Sequence, residues 1–188
     1  AFPPVPASYE WQEAELVLPG SLALFTGEEL SGVEIAYRVA GARSAPVVAA
    51  LGGISAGRNV FSLQPESPGW WEEAVGPGRA LDTDRYRVIG IDFLGGSHRT
   101  SGPQPGEPFP TISAFDQARI LVALLDHLGI EKATFVAQSM GGYTCIGFAV
   151  EYPTRTRALV MADTTGTMTE PVLDRMRAEF RDSQPQPF

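Results

Sequence analysis

The stretch that decides how this chain reads is Lys132-Ala133-Thr134-Phe135-Val136-Ala137-Gln138-Ser139-Met140-Gly141-Gly142-Tyr143-Thr144-Cys145-Ile146-Gly147-Phe148-Ala149-Val150. Lys132 to Val136 is an apolar run that reads as a strand, and Tyr143 to Val150 reads as a helix. Between them, Ala137-Gln138-Ser139-Met140-Gly141-Gly142 makes a sharp turn with a serine at its crest. A serine so placed sits in a strained backbone conformation that costs about 1–3 kcal/mol. The positions two before and two after it have to be small, because strand and helix come close there; Ala137 and Gly141 satisfy this. The helix N-terminus then directs its partial positive charge at an oxygen that becomes negative during attack on a carbonyl. Ser139 is therefore the candidate nucleophile, with a purely structural Ser-Gly turn as the competing use of the same residues.

The chain has 188 residues, enough for one domain. A chain of this length buries about 70% of its unfolded surface. Apolar residues make up 44%, which fits a globular protein and not a disordered one. Fourteen basic residues against 22 acidic ones give a net charge of −8. That balance argues against nucleic acid and anionic membranes as partners, though not against a local basic pocket; solubility is its plainer meaning. The one cysteine, Cys145, excludes a disulfide framework within the chain, points to a cytoplasmic home, and falls where a small core residue belongs. No apolar run reaches membrane-spanning length. Ala1-Phe2-Pro3-Pro4-Val5-Pro6 lacks the pattern of a signal peptide, and the missing initiator Met suggests a trimmed start.

In chain order, Ala1 to Ala7 is Pro-rich and expected to be extended, within an arm over 1–14. Glu15 to Phe25 and the alternating Val33 to Val39 read as an antiparallel pair at a sheet edge. Pro46 to Leu51 is a continuous apolar run, typical of a strand covered on both faces. It ends in Gly52-Gly53-Ile54-Ser55-Ala56-Gly57-Arg58. In the α/β-hydrolase fold, which the strand, serine turn and helix above resemble, such a loop supplies a second backbone N–H to the oxyanion. A phosphate cradle is the alternative, but the Gly-Lys-Ser/Thr spacing is missing. Pro68 to Val75 reads as a short helix whose paired tryptophans serve packing rather than ligand stacking. Tyr86 to Asp92 is a further strand, and its carboxyl end is where ligands bind in open α/β sheets. Ser113 caps a helix with Asp116 in the reciprocal position; its apolar face holds Ala118, Leu121, Val122, Leu125 and Leu128, and Gly129 closes it. His127 near its end reads as a surface histidine. Arg157 to Ala162 is another strand, leading to Asp163. Thr169 caps a last helix with Pro171 in its first turn and a stripe of Val172, Leu173, Met176 and Phe180. The pattern predicts a mostly parallel sheet of about six strands with helices between them.

Several stretches resemble the homoserine O-acyltransferases of methionine biosynthesis. They are Phe25-Thr26-Gly27-Glu28 with Ile35-Ala36-Tyr37, Leu51-Gly52-Gly53-Ile54-Ser55-Ala56, Gly69-Trp70-Trp71, and Val75-Gly76-Pro77-Gly78-Arg79-Ala80-Leu81-Asp82-Thr83-Asp84-Arg85-Tyr86. Asp92-Phe93-Leu94-Gly95-Gly96, Ser101-Gly102-Pro103 and Phe115-Asp116-Gln117-Ala118-Arg119 continue the likeness, which covers about Phe25 to Ile130. The Leu-Gly-Gly-Ile-Ser-Ala loop is similar to members that use succinyl-CoA. The resemblance implies an α/β-hydrolase fold and a serine–acid–histidine triad. The acyl group of acyl-CoA would pass to the serine and then to the hydroxyl of homoserine, or of serine in some relatives. Acyl-CoA would be a co-substrate, with no resident cofactor and no metal. On this chain the resemblance makes Ser139 the nucleophile and the N–H groups of Met140 and Gly53 the oxyanion donors. Arg58 would meet a succinyl carboxylate, with a solvated loop arginine as the equal alternative.

Two features depart from that family. Val136 to Thr144, with Val160 to Gly166, looks more like esterase- and lactonase-type α/β-hydrolases. The triad is also incomplete. The family places its acid and histidine after strands seven and eight, and the only histidines here are His98 and His127. Asp163 is a candidate acid, since triads are set by geometry and not by order. The expectation is an α/β-hydrolase core over 15–167, truncated after about the sixth strand, with the start of a lid over 168–188. Such a chain would be the N-terminal part of a larger acyltransferase or serine hydrolase, inactive alone, or else a non-catalytic fragment. Its exposed last strand would be covered by a homodimer partner or left bare.

Overall fold

The computed structural model describes residues 10–64, 66–96 and 98–164, together with Glu170 and Asp174. The N-terminal residues 1–7, the helix stripe after Thr169 and the lid segment named above lie outside the described residues, apart from those two positions. The strands in chain order are β1 Glu10–Val17, β2 Ser21–Ala23, β3 Glu29–Ser31, β4 Glu34–Gly41, β5 Val47–Leu51, β6 Val75–Gly76, β7 Leu81–Asp82 and β8 Arg87–Ile91. Helix α1 Ala114–His127, strand β9 Ala133–Gln138, helix α2 Met140–Glu151 and strand β10 Thr156–Ala162 complete the order. Six strands form one sheet in the order β1-β4-β8-β5-β9-β10. β1 and β4 are antiparallel to each other, β4 is antiparallel to β8, and the remaining pairs are parallel.

The period of two in the strands sorts their side chains onto two faces. Val39, Ala49, Leu51, Ile89, Ile91 and Phe135 face one way, into a core closed by Leu121, Leu124 and Leu125 of α1 and Cys145 and Phe148 of α2. Ala40, Ala50 and Val88 face the other way, under Val60, Phe61, Trp70 and Trp71. Both faces of β5 and β8 are thus covered, which is why their sequences are apolar without alternation. The paired tryptophans serve this packing, their rings stacked at 5.2 Å. β10 differs. It lies at the sheet edge, with Val160 and Met161 exposed, as the sequence led one to expect.

Two elements differ from expectation. The first strand runs over Glu10–Val17 and not Glu15 to Phe25, so the sheet already includes residues 10–14. This strand is rich in charge, and its acids are held by arginines of distant segments: Glu10 by Arg43 at 2.6 Å and Glu13 by Arg38 and Arg58 at 2.6 Å each. Ser21–Ala23 instead pairs with Glu29–Ser31 in a small ribbon. Residues 68–75 form turns and a short strand, not a helix. Their amides bond across the loop: Trp70 N–H donates to the Asn59 carbonyl, Trp71 N–H to that of Val60, and Gly69 N–H to the Glu72 carboxylate.

The start of α1 is built as predicted. The Ser113 hydroxyl accepts from Asp116 N–H, while Asp116 Oδ2 accepts from Ser113 N–H at 2.8 Å. Asp116 Oδ1 also accepts from Phe25 N–H at 2.7 Å, which ties the helix to the β2–β3 ribbon. Ser113→Ala should cost about 1 kcal/mol, the value of a helix cap. Asp116→Ala should cost more, about 3 kcal/mol, because two backbone donors lose their acceptor in a buried setting; urea denaturation of both variants checks the order.

Four residues hold the loops that leave β5 and β8. Asp92, fully buried, accepts from Arg58 N–H at 2.7 Å, from the Arg58 guanidinium at 2.6 Å and from Arg99 N–H at 3.0 Å. The same guanidinium reaches Glu13, which Arg38 also binds. Hydrogen bonds from Arg38 and then Arg58 bring the Glu13 carboxyl down to about 2 from its ordinary 4.5. A depressed carboxylate stabilises the fold above its unfolded pKa and loses that contribution as the pH falls through the folded one. The melting temperature should therefore drop between pH 4.5 and 2, and Glu13→Gln should melt lower at neutral pH with a shallower fall across that window.

Candidate active site

Strand β9 delivers Ser139 to the carboxyl end of the sheet, and α2 starts at the next residue. Ser139 has φ 51° and ψ −123°, a left-handed conformation that a non-glycine residue holds only under strain. Its backbone is fixed from three sides. Its N–H donates to the Ala162 carbonyl at 3.3 Å, and its carbonyl accepts from Gly142 N–H and from the Thr164 hydroxyl at 3.0 Å each. Its side chain makes no capping bond to α2 and the residue is exposed, so the hydroxyl stands open at the crest.

The glycines after it allow close approach. Gly141 N–H donates to the Gly52 carbonyl at 2.9 Å, and a Cβ on Gly141 would run into the Leu51 carbonyl oxygen. A Cβ on Gly142 would meet the Thr164 side chain. Gly53 lies across from the serine: a Cβ there would be 3.7 Å from Ser139 Oγ, an ordinary van der Waals contact. Met140 occupies the first helical position, whose N–H has no acceptor within its own helix. The structure thus brings Ser139, Met140 and Gly53 together at one end of the sheet.

The remaining candidates are placed as follows. Arg58 is neither solvated nor open to a substrate carboxylate: Glu13 and Asp92 already hold its guanidinium, each at 2.6 Å. This corrects the expectation on both of its alternatives, and the cause is two carboxylates far away in sequence. Asp163 follows β10 directly, exposed and with φ 51°, beside the segment that pins Ser139. Neither histidine offers Ser139 a base. The His98 ring nitrogen lies 3.3 Å from the Ser55 carbonyl, and exposed His127 ends α1, where its ring meets Tyr37 edge-on. Cys145 is buried in the core, and burial pushes its thiol up to about 12.

Sequence reasoning missed Thr164, which clamps the elbow, and Asp92 and Gln117, which fix its surroundings. Gln117 both accepts from Leu94 N–H at 3.0 Å and donates to the Leu94 carbonyl at 2.8 Å. Asp92 and Gln117 stand inside stretches that carry the family likeness, but nothing local in the sequence states what they bond.

Comparisons with known proteins agree with this geometry. Residues 50–185 match the family described as the alpha/beta hydrolase fold. The homoserine O-acetyltransferase of Thermobifida fusca (strain YX) is 37% identical over 181 residues, covering 85% of this chain and 48% of that protein. The homoserine O-succinyltransferase of Marinobacter nauticus is 30% identical over 164 residues, covering 79% of this chain and 43% of that protein. Among solved structures, esterase E22 superposes with a TM-score of 0.74 at 26% identity, over 88% of this chain and 52% of its own. The chain spans about half the length of the curated relatives it matches. With the elbow, the sheet order and the sequence match all in agreement, the chain belongs to the alpha/beta hydrolase fold family.

Proposed function

We propose that this chain carries the nucleophile of an acyltransferase that moves an acyl group from acyl-CoA to the hydroxyl of homoserine or serine. The observation that carries the reading is the strained, exposed Ser139 facing Gly53 across the β5 loop. Relatives named as homoserine O-acetyltransferase and homoserine O-succinyltransferase support homoserine as the acceptor and a short acyl group as what is moved.

Ser139 Oγ attacks the thioester carbonyl, and its proton passes to a base that lies outside the described residues. The tetrahedral oxyanion points at the N–H groups of Met140 and Gly53. It collapses with loss of the CoA thiolate, which takes up the proton, and leaves an ester on Ser139. The amino-acid hydroxyl then attacks that ester, and Ser139 leaves with its proton restored. Removing one donor of such a pair costs about 100- to 1,000-fold in rate in other enzymes. Asp163, which follows β10 directly, is the acid we assign to orient the base.

Hydrolysis is the second reading, and the superposition on esterase E22 favours it. The two readings share the acyl-serine and differ in whether water or the amino acid resolves it. The test uses the protein as encoded, including any residues that follow Phe188. Acetyl-CoA or succinyl-CoA is supplied with and without homoserine, and thiol release and O-acylhomoserine are followed. Release that requires homoserine supports the transferase, whereas equal release without it defeats that reading. Ser139→Ala should lower turnover by about 10,000-fold or more, as loss of the nucleophile does in other serine enzymes, with an unchanged urea midpoint.

A further inference from the structure

At the end of the sheet away from Ser139, a cleft of about 510 Å³ opens among the starts of the parallel strands. β5, β8, β9 and β10 begin at Val47, Arg87, Ala133 and Thr156, and the cleft is lined there by Arg43, Ser44, Arg87, Glu131, Lys132 and Arg157. The 6 residues of β9, at about 3.3 Å each, put about 20 Å between this cleft and the elbow. The sequence as a whole carries a net charge of −8, so a gathering of basic side chains runs against its average.

Arg87 is the unusual member. Only 6% of its side chain is exposed, yet the carboxylate that faces it, on Glu10, is 3.7 Å away, beyond hydrogen-bond reach. Its Nε is buried without an acceptor, and among the described residues no hydrogen bond reaches the guanidinium. Glu10 gives its other oxygen to Arg43 at 2.6 Å. Burial holds the Arg87 guanidinium below the usual arginine range; Glu10 opposes this, and the Arg43 charge adds to it. A buried cation so poorly paired is costly. Lys132 and Arg157 are exposed and form no ion pair among the described residues. Four basic side chains thus face two carboxylates, Glu131 in the lining and Glu10 beside Arg87, and two positive charges are left over. The end of α1 does not supply the missing negative charge. The Leu125 and Asp126 carbonyls accept from Ile130 and Gly129 N–H, and those of Ile130 and Glu131 accept from Arg155.

We propose that this cleft binds a small phosphate-bearing anion of two or more negative charges, with Arg87 at its floor and Arg43, Lys132 and Arg157 around it. Guanidinium groups pair with two phosphate oxygens at a time. Cations arriving from four separate segments suit the tetrahedral spread of a phosphate better than the plane of a carboxylate. The site stands apart from the elbow and does not depend on the acyl-serine reading.

The test is calorimetric titration of the protein as encoded, including any residues that follow Phe188. Inorganic pyrophosphate is the probe, at an ionic strength of about 0.15 M and without divalent metal. It should bind saturably and about 10-fold more tightly than citrate, a carboxylate anion of similar charge. No binding, or equal binding of citrate, overturns the proposal. Arg87→Met should lower the affinity about 30-fold or more without lowering the urea midpoint, because it removes a poorly paired buried charge. Arg157→Gln, on the surface, should lower it about fivefold. Arg99→Gln, whose side chain pairs with Glu15 near the other end of the sheet, should leave it unchanged. Parent-like binding by Arg87→Met overturns the assignment, and if that variant does not fold, Arg157→Gln with Lys132→Gln decides in the same way. An equal loss in Arg99→Gln would reduce the effect to net charge and overturn it as well.

Discussion

One backbone hydrogen bond, from Gly141 N–H to the Gly52 carbonyl, joins the two loops on which the site depends. The loops leave neighbouring parallel strands, β5 and β9, at the same end of the sheet. A side chain at Gly141 would push them apart, because the Leu51 carbonyl occupies that space. With the bond in place, Gly53 lies close enough that a Cβ on it would be 3.7 Å from the Ser139 hydroxyl oxygen. The strained φ of Ser139 then has support from both sides: the β5 loop through Gly141, and Ala162 at the end of β10 with Thr164 just after it. Strain of this kind persists only where the surroundings over-determine the conformation.

The Gly53 loop is held from its far side by a different chemistry. Asp92 takes the Arg58 amide and guanidinium together, and the Trp70 indole N–H donates to the Gly57 carbonyl at 2.8 Å. The guanidinium is planar and forked, so it bridges Asp92 and Glu13 at once, which a lysine ammonium would do poorly. The opposite face of the sheet and the end that carries the elbow are in this way one structure. The same indole that packs under Ala50 and Val88 fixes the loop that faces the serine.

How far the sequence alone reveals this depends on the range of the interactions. The elbow, the buried strands and the Ser113–Asp116 cap are local patterns of apolar period, small residues and capping types, and they can be read directly. β1 is hidden because its stability comes from a ladder with β4 and from ion pairs to Arg38, Arg43 and Arg58, while its own residues are largely charged. Residues 68–75 look helical because Trp-Trp-Glu-Glu-Ala carries no breaker, yet their amides find acceptors at Asn59, Val60 and Glu72. The role of Arg58 is invisible for the same reason: its partners are 45 and 34 residues away. The family likeness points to the right fold, but it does not say which polar residues hold loops and which would touch a substrate.

The burial of Cys145 has a chemical consequence of its own. Thioesters exchange readily with accessible thiolates, so a reactive cysteine near the elbow would compete with Ser139 for any activated acyl group. Here the sequence's one sulfhydryl is buried in the core and stays protonated in neutral solution. The hydroxyl at the crest is thereby kept apart from the sulfur of the same sequence. Among the described residues the crest therefore has no accessible thiol beside it.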